Sequence, residues 1–447
     1  MSQGSSKGPV RRPPTNEVPW SGVIVFSVIA GIILLGVVSA AIAGATPKGI
    51  LTNLGFYVSI SIVFAVLALG FNLQWGYTGL FNAGIAGFYL IGAYVAAISI
   101  TPPTPPIIVG GVVVFPGHLG GFSLPLVVGV LLAMLASGAT AALVAVPALR
   151  LRADYLAIAT LAFAVILQIA TTNLQSITGG SIGISGIPPP IYYQGPDAQF
   201  LNAMTLVGVG ALVLVALILI LQFMVESPWG RVLRAIREDE EATMALGKNT
   251  FNYKLQAFAI GGALMGLAGA LYAITLGYLS PSSSFAPSVT FSVWVMVIVG
   301  GSGNHRGAIV GAFLIYGMEW ISVQVRDQAV VGLAANYGFM RDVFLGLGLA
   351  ALVALGLLFV LGRLRPALTW AHPIALYRRS AVTRGLILAA LAVYGVGWAF
   401  ILVEQFAPLA VGDTIFYTRL MLIGVLLILL VVYRPEGILR ERKRVLR

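Results

Sequence analysis

The sequence predicts an all-α polytopic membrane protein with about 11–12 transmembrane helices, on three observations. Of its 447 residues, 59% are hydrophobic and only 9% are charged. A soluble domain carries about 25% charged residues and needs them to cover its surface. Mean hydropathy is +0.97. Apolar runs recur at the length of a membrane crossing, where about 20 residues rising 1.5 Å each span a hydrocarbon core of about 30 Å. The 53 glycines and 23 prolines follow no fixed period and apolar residues dominate, which excludes collagen-like and disordered chains.

Residues 1–20 are polar and proline-rich, carry Lys7, Arg11 and Arg12, and read as a disordered cytoplasmic tail. The run at 21–44 is longer than a signal-peptide core, so it reads as an uncleaved anchor. Spans follow at 52–71, 80–100, 124–147, 155–173, 203–225 and 255–278, then a short one at 289–300 that runs into Gly301 and Gly303. Further spans are expected at 307–322, 343–362, 385–403 and 418–433, and 434–447 reads as a basic cytoplasmic tail. The chain thus divides into a transmembrane domain over 21–362 and an extra basic loop with C-terminal helices over 363–433.

Alternating the loops through these twelve spans puts 22 of the 26 Lys and Arg on one side, leaving Lys48, Arg326, Arg341 and Arg419 on the other. Basic loops stay cytoplasmic, so both termini are expected there. The net charge of +11 is therefore topogenic and no nucleic-acid partner is implied. The absence of cysteine excludes disulfides, thiolate catalysis and cysteine-ligated metals. His118, His305 and His372 lack ligand-spaced partners, so no metal site is expected and each reads as a loop or interface residue.

Four segments carry possible function. In GYTGLFNAGIAGFYLIGAY at 76–94, glycines interrupt an apolar span, which suits either close helix packing or a broken helix lining a pathway, with Thr78 and Asn82 as its polar groups. In the span at 155–173, Thr160 and Gln168 require partners. The loop at 226–254 balances five bases, Arg231, Arg234, Arg237, Lys248 and Lys254, against five acids. There Ser227 and Pro228 form an N-cap and N1 pair, Asp239, Glu240 and Glu241 open a second helix, and Gly247 ends it. One continuous helix with Arg234–Glu238 and Arg237–Glu241 pairs is the competing geometry. With apolar Val232, Leu233, Ile236, Met244 and Leu246, the loop reads as a docking element, since orientation alone needs no acids. The glycines of VGGSGNHRGAIVG at 299–311 suit helix packing, and neither that run nor ALGKNT at 245–250 is a phosphate loop. Energy for uphill transport would have to come from an ion or another polypeptide.

These segments, together with LRADYLAIATLAFAVILQIATTNLQSITGGSIGISGIP at 151–188, VIVGGSGNHRGAIVGAFL at 297–314 and YRPEGIL at 433–439, resemble the permease subunits of branched-chain amino-acid ABC importers of the LivM type. That family also serves urea and short amides. The resemblance implies an ABC importer permease fold in the plasma membrane, no enzymatic activity and no cofactor. It implies a second permease as heterodimer partner, two cytoplasmic ATP-binding subunits, an extracytoplasmic solute-binding protein, and contact with membrane lipid. By position, Gly230, Arg231, Arg234, Arg237, Glu238, Asp239 and Gly247 would form the ATPase-coupling element, and Gly79, Asn82, Gly84, Phe88, Gly92 and Thr160 would line the substrate pathway. The chain departs from the family pattern at Asn82–Ile85, at Val165 and at Ile182, and residues 363–417 resemble an insertion.

Two other classes compete. An ion-coupled secondary transporter places carboxylates near the membrane midplane, whereas the acids here sit in loops or near span ends, Glu319 included. A membrane enzyme needs a His/Asp/Glu constellation, which the sequence lacks.

Overall fold

A computed structural model describes residues 45–103, 107–109, 112–115 and 121–332, with isolated positions at 29–38 and 421–439. The spans expected at 343–362 and 385–403, most of those at 21–44 and 418–433, and the insertion lie outside the described residues, as do His118 and His372.

Among the described residues, six helices are long and apolar enough to cross a membrane. Helix α1 (Pro47–Gln74) starts at Thr46, whose hydroxyl accepts from the Gly49 N–H at 3.2 Å, with Pro47 at the first helical position. Helix α2 (Ile85–Ile100) is shorter than the expected span at 80–100, because residues 80–84 leave the helix. After a short β1–β2 hairpin (Ile107–Val109, Val112–Phe115) come α3 (Leu126–Ala148), α4 (Ala153–Asn173), the single turn α5 (Gln175–Thr178) and strand β3 (Ile184–Ser185). Helix α6 (Ala198–Glu226) leads into two short helices, α7 (Pro228–Glu238) and α8 (Glu240–Ala245). Helix α9 (Thr250–Leu276) ends at Gly277 in the left-handed region (φ +68°), and β4 (Tyr278–Leu279) pairs antiparallel with β3. The turn α10 (Pro281–Ser284), α11 (Pro287–Gly300) and α12 (His305–Gly332) follow.

Helices α1 and α9 form the centre, 83% and 78% buried along their apolar windows, whereas α3, α4 and α6 are each 22% buried. Helix α9 packs on α1, α2 and α3, while α1 also holds α6 and α12. Leucines and isoleucines therefore face outward at Leu131, Leu135, Ile158, Ile166, Leu212 and Leu219, as the apolar surface of a membrane helix does.

Contacts among the described loops gather at two ends of the bundle. Lys48 pairs with Asp197 at 2.7 Å and β3 pairs with β4 at the charge-poor end. At the basic end, Asn72 Oδ1 accepts from the Gly303 N–H at 2.9 Å, Arg237 reaches Gly76, and Ile438 donates to Val299. No described contact in either set joins a loop expected on one side to a loop expected on the other.

Candidate functional site

The loop at 226–254 folds as two helices, so the continuous-helix alternative falls. Asp239 breaks the chain with an extended backbone, and its carboxylate accepts from the Ala242 N–H at 2.9 Å, capping α8. Glu240 and Glu241 occupy the first turn, where acids suit the helix dipole. Gly247 follows the C-cap with φ +76°, donating to the Met244 carbonyl at 2.9 Å. Lys254 of α9 pairs with Glu240, and Trp229 Nε1 donates to Gln256 at 2.8 Å, so both short helices are tied to the bundle.

Three details differ from expectation. Ser227 does not cap α7 with its side chain; its hydroxyl turns back to the Met224 carbonyl at 2.6 Å and fastens the corner with α6. Gly230 is buried at that corner, where a Cβ would overlap the Val225 backbone. Leu233 and Ile236, read as docking residues, are buried in the chain's own core at 0% and 4% exposure. Of the apolar residues read as docking contacts, Leu246 (80% exposed) and Met244 (49% exposed) remain outward, beside exposed charges such as Arg231, Glu241 and Lys248. Arg237 pairs with Glu238 at 3.0 Å, not with Glu241, and Arg234 is half-buried.

The second group gathers around residues 75–84, where the chain leaves α1 and folds back before α2. Gly79 turns it with φ +78°. Leu80 N–H returns to the Gln74 carbonyl at 2.9 Å and the Thr78 hydroxyl donates to Leu73 at 3.0 Å. Asn82, fully buried, donates through Nδ2 to Gln74 Oε1 at 2.8 Å and accepts at Oδ1 from the Gly84 N–H at 2.7 Å. Gln74 in turn donates to the Phe258 carbonyl of α9 at 2.9 Å. Ala83 N–H meets the Thr160 hydroxyl of α4 at 3.0 Å, Ala86 N–H meets Thr290 of α11 at 3.1 Å, and Trp294 Nε1 donates to the Asn82 carbonyl at 3.1 Å. The loop is thus a polar knot joining α1, α2, α4, α9 and α11, and its backbone groups are satisfied partly by turn bonds back to the end of α1 and partly by side chains in place of a helix ladder.

The remaining residues expected on a pathway lie in helix seams. Gly84 backs onto Thr160, Gly92 onto Gly266 of α9, and Phe88 is buried against Phe163 and Phe258 with centroids 5.5 and 5.8 Å away. Gln168 donates to the Pro281 carbonyl at 3.2 Å. His305, the first residue of α12, packs on the Tyr77 ring at 4.9 Å, and the described residues hold no cluster of three or more metal-ligating side chains. Gln74, Thr290 and Trp294 were not legible in the sequence, since nothing local marks a helix residue as partner to a loop far along the chain.

The family described as the branched-chain amino acid transport system / permease component matches residues 53–327. The chain is 34% identical over 282 residues to the high-affinity branched-chain amino acid transport system permease protein LivM of Salmonella typhimurium, covering 58% of this chain and 60% of that protein. Identity to the Escherichia coli LivM is 33% over the same length and shares. To the Escherichia coli permease protein LivH it is 25% over 263 residues, 58% of this chain and 81% of that one. The match therefore spans about 60% of the length of the LivM relatives. No solved structure matches the chain.

Proposed function

The chain belongs to the branched-chain amino acid transport permease family and is a multi-pass membrane protein of the LivM type; from that premise we propose that it forms half of the translocation unit of an ABC importer in the plasma membrane. In this reading its basic end faces the cytoplasm. A second permease covers one of the outward apolar faces, two ATP-binding subunits dock below, and an external binding protein delivers solute. Leucine-type amino acids are the proposed solutes, because the relatives are named for them. Urea and short amides are the competing class.

The observation that carries the proposal is the α7–α8 elbow. Its inner face is spent on the bundle, yet Leu246 and Met244 stand exposed beside a capped, rigid turn at the basic end. An exposed leucine gains about 1.5–3 kcal/mol when a partner buries it. The test is purification of the tagged full chain in mild detergent, with leucine uptake measured in cells in competition with unlabelled leucine and urea. ATPase subunits are expected to follow the chain, and unlabelled leucine alone should compete. Leu246→Asp should cut ATPase retention by at least about tenfold, the equivalent of 1.4 kcal/mol. Gly247→Val should do so less severely: its Cβ meets nothing within 4 Å, leaving only the left-handed strain of about 1–2 kcal/mol. Full retention and uptake in both variants would reduce the elbow to a solvated connector.

The orientation has a separate check. The sequence has no cysteine, so single engineered thiols report without background. Tyr192 is 77% exposed at one end and Lys248 is exposed at the other. A membrane-impermeant maleimide applied to intact cells should label Tyr192→Cys and leave Lys248→Cys unlabelled until the membrane is opened. Labelling of both in intact cells would overturn the proposed sidedness.

A further inference from the structure

Arg237 is the one arginine of α7 whose head group is described reaching from the elbow into the membrane part of the chain. Its side chain is 24% exposed, against 74% for its ion-pair partner Glu238. One guanidinium nitrogen, Nη1, donates to the Gly76 carbonyl, which is 161 positions away in sequence, and Nη2 donates to Glu238 at 3.0 Å. The aliphatic stem covers Gly79, where an added Cβ would lie 3.3 Å from Arg237 Cγ. Gly76 and Gly79 open the 75–84 loop, and from there the chain runs without interruption into Phe81, the Asn82 knot and the first turn of α2. Phe81 itself packs on Trp75 and Trp294, with centroids at 6.1 and 4.6 Å.

We propose that Arg237 is a positioning residue that passes displacement of the docked α7–α8 elbow to the 75–84 loop, and so to α2 and α4, while other residues hold the ATPase. The inference rests on the importer reading above. Its physics lies in the contrast between two kinds of bond. The Asn82–Gln74 hydrogen bond is fully buried and costly to open, so it holds the loop together as one body. The Arg237–Gly76 bond lies at the edge of the bundle, where the arginine side chain is 24% exposed, so water reaches the guanidinium and the bond can break and reform as α7 moves. A rigid loop gripped at one end by a remakeable charge-assisted hydrogen bond moves as a unit when the grip moves. Gly79 is needed at that grip because it both takes φ +78° and leaves room for the arginine stem.

The test compares Arg237→Met, Arg237→Lys, Gly79→Ala and the Arg237→Met/Gly79→Ala double variant in the full chain with its co-purifying subunits. ATPase retained per chain and ATP-driven leucine uptake are measured together. Arg237→Met should keep its ATPase yet lose uptake by about tenfold, within the range of one coupling contact. Lysine keeps the stem and one donor, so Arg237→Lys should recover part of the uptake. Gly79→Ala disturbs the same contact from the loop side, and the double variant should be no worse than the poorer single. Wild-type uptake in Arg237→Met, loss of ATPase in parallel with uptake, or multiplied losses in the double variant would each overturn the relay alone. Failure of any ATPase to follow the unmutated chain would instead overturn the importer reading and the relay with it.

Discussion

Gly92→Val is expected to prevent accumulation of folded protein, whereas Gly208→Val should accumulate and unfold like the unmutated chain. The two positions differ in what a side chain would meet. At Gly92 a Cβ would overlap the backbone of Gly266 in α9, and across the same seam Gly269 backs onto the Tyr89 carbonyl and the Ala93 nitrogen of α2. Gly266 also faces Ser137 of α3, whose hydroxyl lies 2.9 Å from the Phe88 carbonyl and 2.8 Å from that of Gly262. In lipid no hydrophobic force presses helices together, so the gain from this crossing comes from backbones in close contact and from that shared hydroxyl. Valine adds three carbons where none fits, and the obstacle is backbone that cannot rotate away. Overpacking of ordinary cores costs about 1–3 kcal/mol, and separating α2 from α9 would forfeit contacts along both helices as well. At Gly208 nothing lies within 4 Å and the backbone needs no positive φ. Monodisperse yield in mild detergent and the thermal midpoint of each variant decide the matter. Equal midpoints for the two would show that the glycines of α2 are not seam residues.

That seam also shows what the sequence could and could not disclose. Span existence was legible because a run of about 20 apolar residues has few other fates. The elbow was legible because its signals are local: Pro228 at a first turn, Asp239 as a cap and Gly247 at a terminus act within three or four residues of themselves. Facing was not legible. In a soluble helix polar residues mark the outer side, but α2 and α9 are apolar all round, so periodicity cannot say which stripe meets a neighbour. Glycine content at Gly92 favoured packing over a pathway role without naming the partner, and its place against Gly266 rests on another helix 174 positions away. Arg237 closes α7 as its place in the sequence suggests, but its reach to the Gly76 carbonyl was not legible, since that carbonyl lies just past the end of α1 and 161 positions away. The break itself was half legible: the glycines announced it, but the polar side chains that hold it are the amides of Gln74 and Asn82 and the hydroxyl of Thr160, and only the last two stood out as polar atoms in apolar runs.

Asn82→Leu is expected to be strongly destabilising. Leucine keeps the branched outline of asparagine and leaves no cavity, but its methyl groups are bulkier, so overpacking at this buried position adds to the cost of the lost hydrogen bonds. Two groups lose their partner: Gln74 Oε1, which now accepts from Asn82 Nδ2 at 2.8 Å, and the Gly84 N–H, which now donates to Asn82 Oδ1 at 2.7 Å. Both lie among residues with no solvent exposure at Gln74 and Asn82, so water cannot replace the amide. Each stranded group costs about 1–3 kcal/mol, which puts the two together at about 2–6 kcal/mol. Aspartate should not rescue the site. It would still accept from Gly84, but its second oxygen would face Gln74 Oε1, and turning the Gln74 amide to donate there would set its oxygen against the Phe258 carbonyl. Removing both amides should cost less than the two single losses added, because Gln74→Leu no longer leaves an acceptor facing leucine. Thermal midpoints of Asn82→Leu, Gln74→Leu and the double variant measure this directly. Strict additivity would mean that the two amides act separately and that the 75–84 loop is held by its backbone contacts to Thr160 and Trp294 instead.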